Sequence, residues 1–552
     1  MKINRREFLK LAGINVAALL IPPYKPSFGF KPLSWPSLSL ENLSPRVKMI
    51  LERVPKTTID DSGYLNFFDG NGFWQSKAPL LRTYWNLERN RPIDRLEDNA
   101  PWGIVVHWYG DKDNFDKTAE GYLRGFDSIR LVDDYYTRTS AHFLVADGTP
   151  ISEIGTGNVS GILQTQAPDI DGTPFLASHL QGIDYQAHRE RKQYFVRALY
   201  QLSYEEPTIH SILQDFFDGP FVDPNLRTIA IELTGYGFEN PENFPSDQQI
   251  ANVISVIWAV MKRYNISAMN ILGHHEIQLG KADPGKKFLS LIRFLIGMKA
   301  LIEHDEKMQY LVFGQFFGQE NNPQQAVQKY FKFIRDYLML VGRPQQVYEW
   351  EALCSYWFVY DTIANHIHSS SVPLAETFIP PLGGSTYQVG NKFLIPENHE
   401  GVDLHFDLND NNINKLSLAP VQLIARGKCV YAGDCAGLHP GKLAMFRHRQ
   451  PDGAEVVTVF GHLKELGALK IGDFYPQGYP IGNIESHKNH PAFLHFAIAY
   501  GATWDLDLHK NPNIPPNAGF TWIQERYLEP YKFLHGYNHL NPNQQENRFE
   551  FE

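Results

Sequence analysis

The apolar positions fall into three textures along the chain. From about 76 to 290, apolar runs of strand length alternate with helical spacing. "GIVVHW" (103–108) and "TIAIEL" (228–233) are strand-like runs. Between the second run and "NILGHHEI" lies "SDQQIANVISVIWAVMKRYNIS". There Ile250, Val253, Ile254, Ile257, Trp258 and Met261 share one helical face. Ser246 and Gln249 are spaced as a capping box, and Lys262-Arg263 suit the last turn. Strands alternating with helices predict an α/β domain, a central mixed sheet flanked by helices. Residues 291–370 carry helical spacing and no evident chemistry. In "NPQQAVQKYFKFIRDYLMLVG", Asn322 reads as N-cap, Pro323 as the first helical position and Gly342 as the stop. This stretch is expected to be a helical linker. From 371 to 535 the texture turns to short β-like runs with Gly/Asp turns, such as "VQLIARGKCVYAGD", "KLAMFRH" and "VVTVFGHL". These predict an all-β C-terminal domain. Residues 26–75 read as an irregular lead-in and 536–552 as a polar tail.

A chain of 552 residues of which 43% are hydrophobic and 20% charged has room for several cores. The net charge of −10, with no long basic run, argues against a nucleic-acid partner. Three cysteines, Cys354, Cys429 and Cys435, make neither a disulfide framework nor a cysteine-rich zinc module. Cys429 and Cys435 could pair across a turn or be two ordinary buried residues. Any metal is left to His, Asp or Glu.

"NRREFLKLAGINVAALLIPP" places Arg5-Arg6 before an apolar run from Leu11 to Ile21 that is too short to span a bilayer. It resembles a twin-arginine export signal, taken as residues 1–25. No other segment reads as an integral membrane span. The expected location is periplasmic or in the cell envelope.

The first candidate site gathers residues from distant runs. His107 closes "IVVHW", His274 or His275 follows the glycine of "LGHHEI", and Asp283 lies in the "KADPG" loop. Two imidazoles and a carboxylate suit Zn2+ and leave a fourth position for water. Glu232, in "TIAIEL", could move a proton, and Lys281 could steady an oxyanion. Each residue alone reads as an ordinary polar one; their order and flanks raise the set above that.

The ordered series "GIVVHW", "TSAHFLVADGTPISEI", "ASHLQG", "NLRTIAIEL" and "ILGHHEIQLGKADPGKKF" resembles the zinc-dependent N-acetylmuramoyl-L-alanine amidases of the amidase-2 group, relatives of the peptidoglycan recognition proteins. The resemblance covers about 200 residues. It implies His107, His274 and Asp283 as zinc ligands, Glu232 as the proton-transfer residue and Lys281 as its catalytic companion. It makes His275 a neighbour. His142 matches a histidine of packing or supporting role, and His179 one near the substrate cleft. About forty residues between "ASHLQG" and "NLRT", at 183–224, depart from the family's short link and are read as a lid or specificity wall.

A second constellation opens in "NHEGVDLHF", where His399 precedes Asp403 by four residues; His462 in "FGHL" and His495 in "AFLHFAI" follow. With "GKCVYAGD", "VTVFGHL" and "LKIGDFYPQGYPIGNI", this resembles an M23 (LytM-type) metallopeptidase domain over about 380–500. The resemblance implies a second zinc on His399, Asp403 and His495, with His462 as the catalytic histidine. Phe493 stands where the family has a further histidine, and a phenylalanine cannot transfer a proton. A degenerate domain that binds peptidoglycan is the preferred reading.

Together these imply a multidomain, exported hydrolase. The amidase domain at 76–290 would cut the amide between N-acetylmuramic acid and L-alanine in peptidoglycan or muropeptides. Cell-envelope regulatory partners are expected. The alternatives are a bifunctional amidase and endopeptidase, or a non-catalytic peptidoglycan sensor or activator.

Overall fold

Runs of isoleucine and valine put the central strands of the first half where neither face meets water. The computed structural model describes residues 35–61, 63–68, 74–77, 101, 103–109, 130–132, 135–137, 141–146, 161–164, 228–277, 282–317, 322–341, 343–354, 372–382, 387–394, 399–406, 420–434, 441–484, 493–508 and 520–540. The expected signal at 1–25 and the insertion at 183–224 lie outside them. The chain divides into two units, Met1–Glu41 with Lys48–Tyr337, and Asn42–Val47 with Leu338–Glu552.

The first unit is built on a five-stranded mixed sheet. Its strands are β1 (Gly103–Tyr109), β2 (Phe143–Val145), β3 (Ile162–Gln164), β4 (Thr228–Thr234) and β5 (Ile271–Gly273), in the order β5-β1-β4-β2-β3. The first four strands across the sheet run parallel and β3 antiparallel to β2. Ile104, Val106, Ile229 and Ile231 are fully buried.

Helix α1 (Asp247–Tyr264) covers this sheet with all six expected face residues buried. Ser246 caps it, its Oγ accepting from the Gln249 N–H at 3.2 Å. The Gln249 side chain does not complete the box. It donates instead to the carbonyls of Val145 (3.1 Å) and Thr234 (2.8 Å), tying the helix start to the ends of β2 and β4. Burying an amide is tolerable only when its hydrogen bonds are made, and here they join three elements.

Residues 57–77 differ from the expected irregular lead-in. They hold three short antiparallel strands, Thr57–Ile59, Leu65–Phe68 and Trp74–Lys77. Runs of three or four residues are too short to show a period in the sequence. The buried Gln164 side chain accepts from Leu65 N–H (2.8 Å) and donates to the Gly63 carbonyl (2.6 Å), fastening this small sheet to β3.

The described residues between 286 and 354 are mainly helical. α2 is the single turn His274–Ile277, and α3 (Lys286–Glu303), α4 (Glu306–Phe313) and α5 (Pro323–Val341) follow. Asn322 Oδ1 caps α5 from the N–H groups of Gln324 and Gln325. Phe294, Phe313, Tyr330 and Phe331 meet mostly edge to face and are buried, so through Tyr337 these helices belong to the first unit's core.

The second unit is built on an antiparallel sheet of ten strands. Its main path runs through β6 (Gly401–Phe406), β10 (Phe493–Tyr500), β9 (Glu455–Leu466), β8 (Lys442–Arg449) and β7 (Gly427–Asp434). Val402, Leu404, Phe446, Val456, Phe460 and Phe496 make its core. Cys429 is a buried free thiol, and Cys435 lies outside the described residues. Among the described residues, no helix is long and apolar enough to cross a membrane.

One histidine in this core makes a pH prediction. His448 is fully buried, its Nδ1 3.0 Å from the Arg426 carbonyl and its Nε2 2.8 Å from Thr458 Oγ1. Burial outweighs the Arg426 carbonyl and pushes its pKa from 6.5 down to about 4. Between these values the unfolded chain binds the extra proton, so stability is lost as pH falls through the window and is unaffected above it. Some 2.5 pH units correspond to about 3 kcal/mol. Urea unfolding of the β-rich unit at pH 7 and pH 4.5 should show most of this loss, and His448→Gln should flatten it. Equal acid losses in both proteins would remove His448 as the cause.

Candidate metal centres

Parallel pairing of β1 with β5 sets Val106 beside Gly273, so the next residues, His107 and His274, leave neighbouring strands at the same sheet end. Their Nδ1 atoms are 3.0 Å apart. Asp283 Oδ2 lies 3.2 Å from the first and 2.9 Å from the second. Tetrahedral zinc, with bonds of about 2.0–2.1 Å, sets its ligand atoms roughly 3.3 Å apart. Two imidazole nitrogens facing each other at 3.0 Å cannot both carry hydrogens along that line. A cation at the common focus of the three atoms resolves this, so the donor set fits a metal. Burial raises the Asp283 carboxyl, but hydrogen bonds from His107 and His274 and their charges outweigh it and hold it well below the usual range. Glu232 sits on the rung of β4 directly beside His107. Adjacent strands lie about 4.8 Å apart, and side chains on one rung share a face.

The second unit brings together His399, Asp403 and His495. β6 and β10 pair with Asp403 opposite His495. Asp403 Oδ1 lies 3.2 Å from His399 Nε2 and 3.1 Å from His495 Nδ1. Its other oxygen accepts from Asn391 Nδ2 at 2.7 Å. His399 Nδ1 is 3.0 Å from the Lys392 carbonyl, which only accepts, so that nitrogen carries the hydrogen and Nε2 is left for a metal. This donor set also fits. Burial alone would push His495 down, but Glu400 and Asp403 push it up to about 10. His462 has positive φ (60°) on β9, with its ring 4.4 Å from that of Phe493 and 6.4 Å from that of His495.

Residues 97–286 match the Amidase_2 family, N-acetylmuramoyl-L-alanine amidase. The matched segment contains His107, Glu232, His274 and Asp283. No curated protein matches the chain. Solved structures similar to it include the solution structure of lysostaphin (21% identity over 27% of this chain and 51% of that one, TM-score 0.19). Lysostaphin of Staphylococcus simulans, described as an antimicrobial peptidase, shows 19% identity over 30% and 55%, TM-score 0.19. Csd3 of Helicobacter pylori shows 18% over 31% and 42%, TM-score 0.16. The chain spans about half the length of the lysostaphin structures it matches.

Within the matched segment, the structure separates the two candidate histidines. His274 faces the focus. His275 turns away, its Nδ1 2.9 Å from the Asp283 carbonyl and its Nε2 3.3 Å from Tyr337 Oη. The His275 backbone N–H also donates to that carbonyl at 3.0 Å, so His275 holds the loop that carries the carboxylate. His142 is fully buried. It exchanges hydrogen bonds with Ala230, its N–H donating to that carbonyl and its Nδ1 accepting from that N–H, which ties β2 to β4. Lys281 and His179 lie outside the described residues.

Several supporting residues are not evident in the sequence. Glu276 accepts from the Gly273 N–H at 3.1 Å and pairs with Arg293 of α3 at 2.9 Å, both side chains nearly fully buried. Arg293 also donates to the Ile271 carbonyl. This clamp fixes the strand end next to His274. The glutamate three residues after Gly273 resembles one arm of a capping box, a readable signal; its partner seventeen residues later is not. Glu239 accepts from the Lys286 N–H and caps α3 just after the Asp-Pro-Gly turn.

Gly273 admits no side chain. A Cβ there would stand 2.6 Å from His275 Cε1 and 3.0 Å from Pro284 Cδ. Gly273→Ala should therefore displace His275 from the Asp283 carbonyl. The expected cost is about 1–3 kcal/mol of stability, with weaker zinc retention at the first centre. Thermal unfolding together with metal analysis checks this; unchanged zinc retention would show that the His275 brace does not position Asp283.

Proposed function

We propose that this chain is an exported, zinc-dependent peptidoglycan amidase that cleaves the bond between N-acetylmuramic acid and L-alanine. The observation that carries the reading is the convergence of His107, His274 and Asp283 on one point beside Glu232, inside the segment that matches the amidase family. In this reading the three ligands hold the ion, which when bound supplies a Lewis acid at the scissile amide. Glu232 takes the proton from the attacking water and returns it to the leaving nitrogen. Lys281 steadies the developing oxyanion. The domain at 76–290 carries this chemistry, and the twin-arginine-type segment directs export to the periplasm or envelope.

The β-rich unit at 371–535 is read as a degenerate M23-like module that holds a second zinc and positions peptidoglycan. The Phe493 ring packed on His462, in place of a second imidazole, supports loss of turnover there. The second reading, an amidase that also cuts peptide cross-links, is favoured by the intact His399, Asp403 and His495 cluster. Phe493→His separates the two. On the degenerate reading it should create cross-link cleavage that the parent lacks, while cleavage by the unmodified chain supports the bifunctional enzyme.

The deciding experiment is digestion of purified peptidoglycan with zinc-loaded protein, followed by mass spectrometry. New L-alanine amino termini are expected. Intact glycan–peptide linkages after exhaustive digestion would sink the amidase reading and leave the sensor or activator.

A further inference from the structure

The second centre contains a carboxylate outside its three-ligand set. Glu400 follows His399 directly, yet its Oε1 lies 3.2 Å from Nε2 of His495, with the two side chains 8% and 3% exposed. The other nitrogen of the same ring, Nδ1, lies 3.1 Å from Asp403 Oδ1. A buried imidazole is thus held between two carboxylates. A neutral ring has one hydrogen and can serve only one of them. With a cation on the Asp403 side, the single hydrogen is left for the Glu400 side.

We propose that Glu400 is the positioning residue of the second metal centre, accepting the Nε2 hydrogen of His495 so that the Nδ1 lone pair faces an ion shared with His399 and Asp403. This rests on reading the cluster as a metal site. The two histidines are then oriented differently. His399 is aimed by a neutral acceptor, the Lys392 carbonyl, and His495 by a charged one. A carboxylate behind a ligating imidazole raises its basicity and fixes its ring, and loss of such a partner typically costs about 10–100-fold in metal affinity. The backbone brings Glu400 within reach because Gly401 lets β6 press against β10. A Cβ at 401 would stand 2.4 Å from the Phe496 carbonyl oxygen. The inference concerns the second centre alone.

The test uses the full chain with His107→Ala and His274→Ala to silence the first centre, and zinc as the probe in competition with a chromophoric chelator. Glu400→Leu should weaken zinc binding about 10–100-fold. Glu400→Gln should fall between, because its amide oxygen still accepts from Nε2–H but without the charge. The d–d absorption bands of the cobalt(II)-loaded protein should also shift in Glu400→Gln, a change that a purely structural role would not produce. Parental affinity and spectrum in Glu400→Gln would overturn the proposal, even if the leucine variant fails to fold. If the silenced parent takes up no zinc, the metal reading falls and the proposal with it. If that parent binds zinc and both substitutions are without effect, the proposal alone falls.

Discussion

Asp283→Ala is expected to empty the first centre and abolish amidase turnover while the second centre keeps its zinc. Asp283 Oδ2 lies within 3.2 Å of both His107 Nδ1 and His274 Nδ1, so its loss removes the carboxylate that the two imidazoles share. Two neutral ligands neither complete the donor set nor offset the charge of a divalent ion. The affinity loss should exceed the roughly 10–100-fold of losing a partner one shell further out. Metal content should fall from two zinc ions per chain to one, counting both clusters. Release of L-alanine amino termini should drop to background. A variant that keeps both ions would remove Asp283 from the ligand set, and one that loses both would mean the two sites are not independent.

Glu232→Gln is the complementary case: zinc retained, turnover lost. Glutamine keeps the size of the half-buried side chain on the rung beside His107 but cannot take a proton. A positioned general acid–base contributes about 10²–10⁴-fold, and the loss should appear in kcat with little change in KM. Full activity with normal zinc would assign proton transfer to another group. A variant that loses zinc would give Glu232 a part in holding the ion instead. The pair of variants therefore separates binding the metal from using it.

How much of this was legible before the structure differs from element to element. The strands at 103–108 and 228–233 and the helix after Ser246 follow from runs and periods that belong to single segments. Their burial agrees with that reading because a segment's apolar pattern is a local record of which face it hides. The three short strands at 57–77 left no such record, being too brief to show a period. The helices after residue 290 read as a linker because spacing reveals helix but not what the helix packs against. Their aromatic rings pack on one another across separate helices, Phe294 on Phe331 and Phe313 on Tyr330, and spacing within one helix does not show such partners.

The sequence by itself determined the inventory of chemistry: which strand ends carry histidine, which loop carries aspartate, and the order in which they come. Those features are local, since a ligand at the end of an apolar run needs only that run to place it. Only the tertiary structure decided which atoms converge. Parallel register sets His107 beside His274, and the brace from His275 to the Asp283 carbonyl gives the second of the adjacent histidines its part. The Glu276–Arg293 clamp and the Glu400–His495 contact join residues through distances that no spacing encodes. Such partners are chosen by strand register and helix packing, which the whole chain sets together, so they become visible only when it is folded.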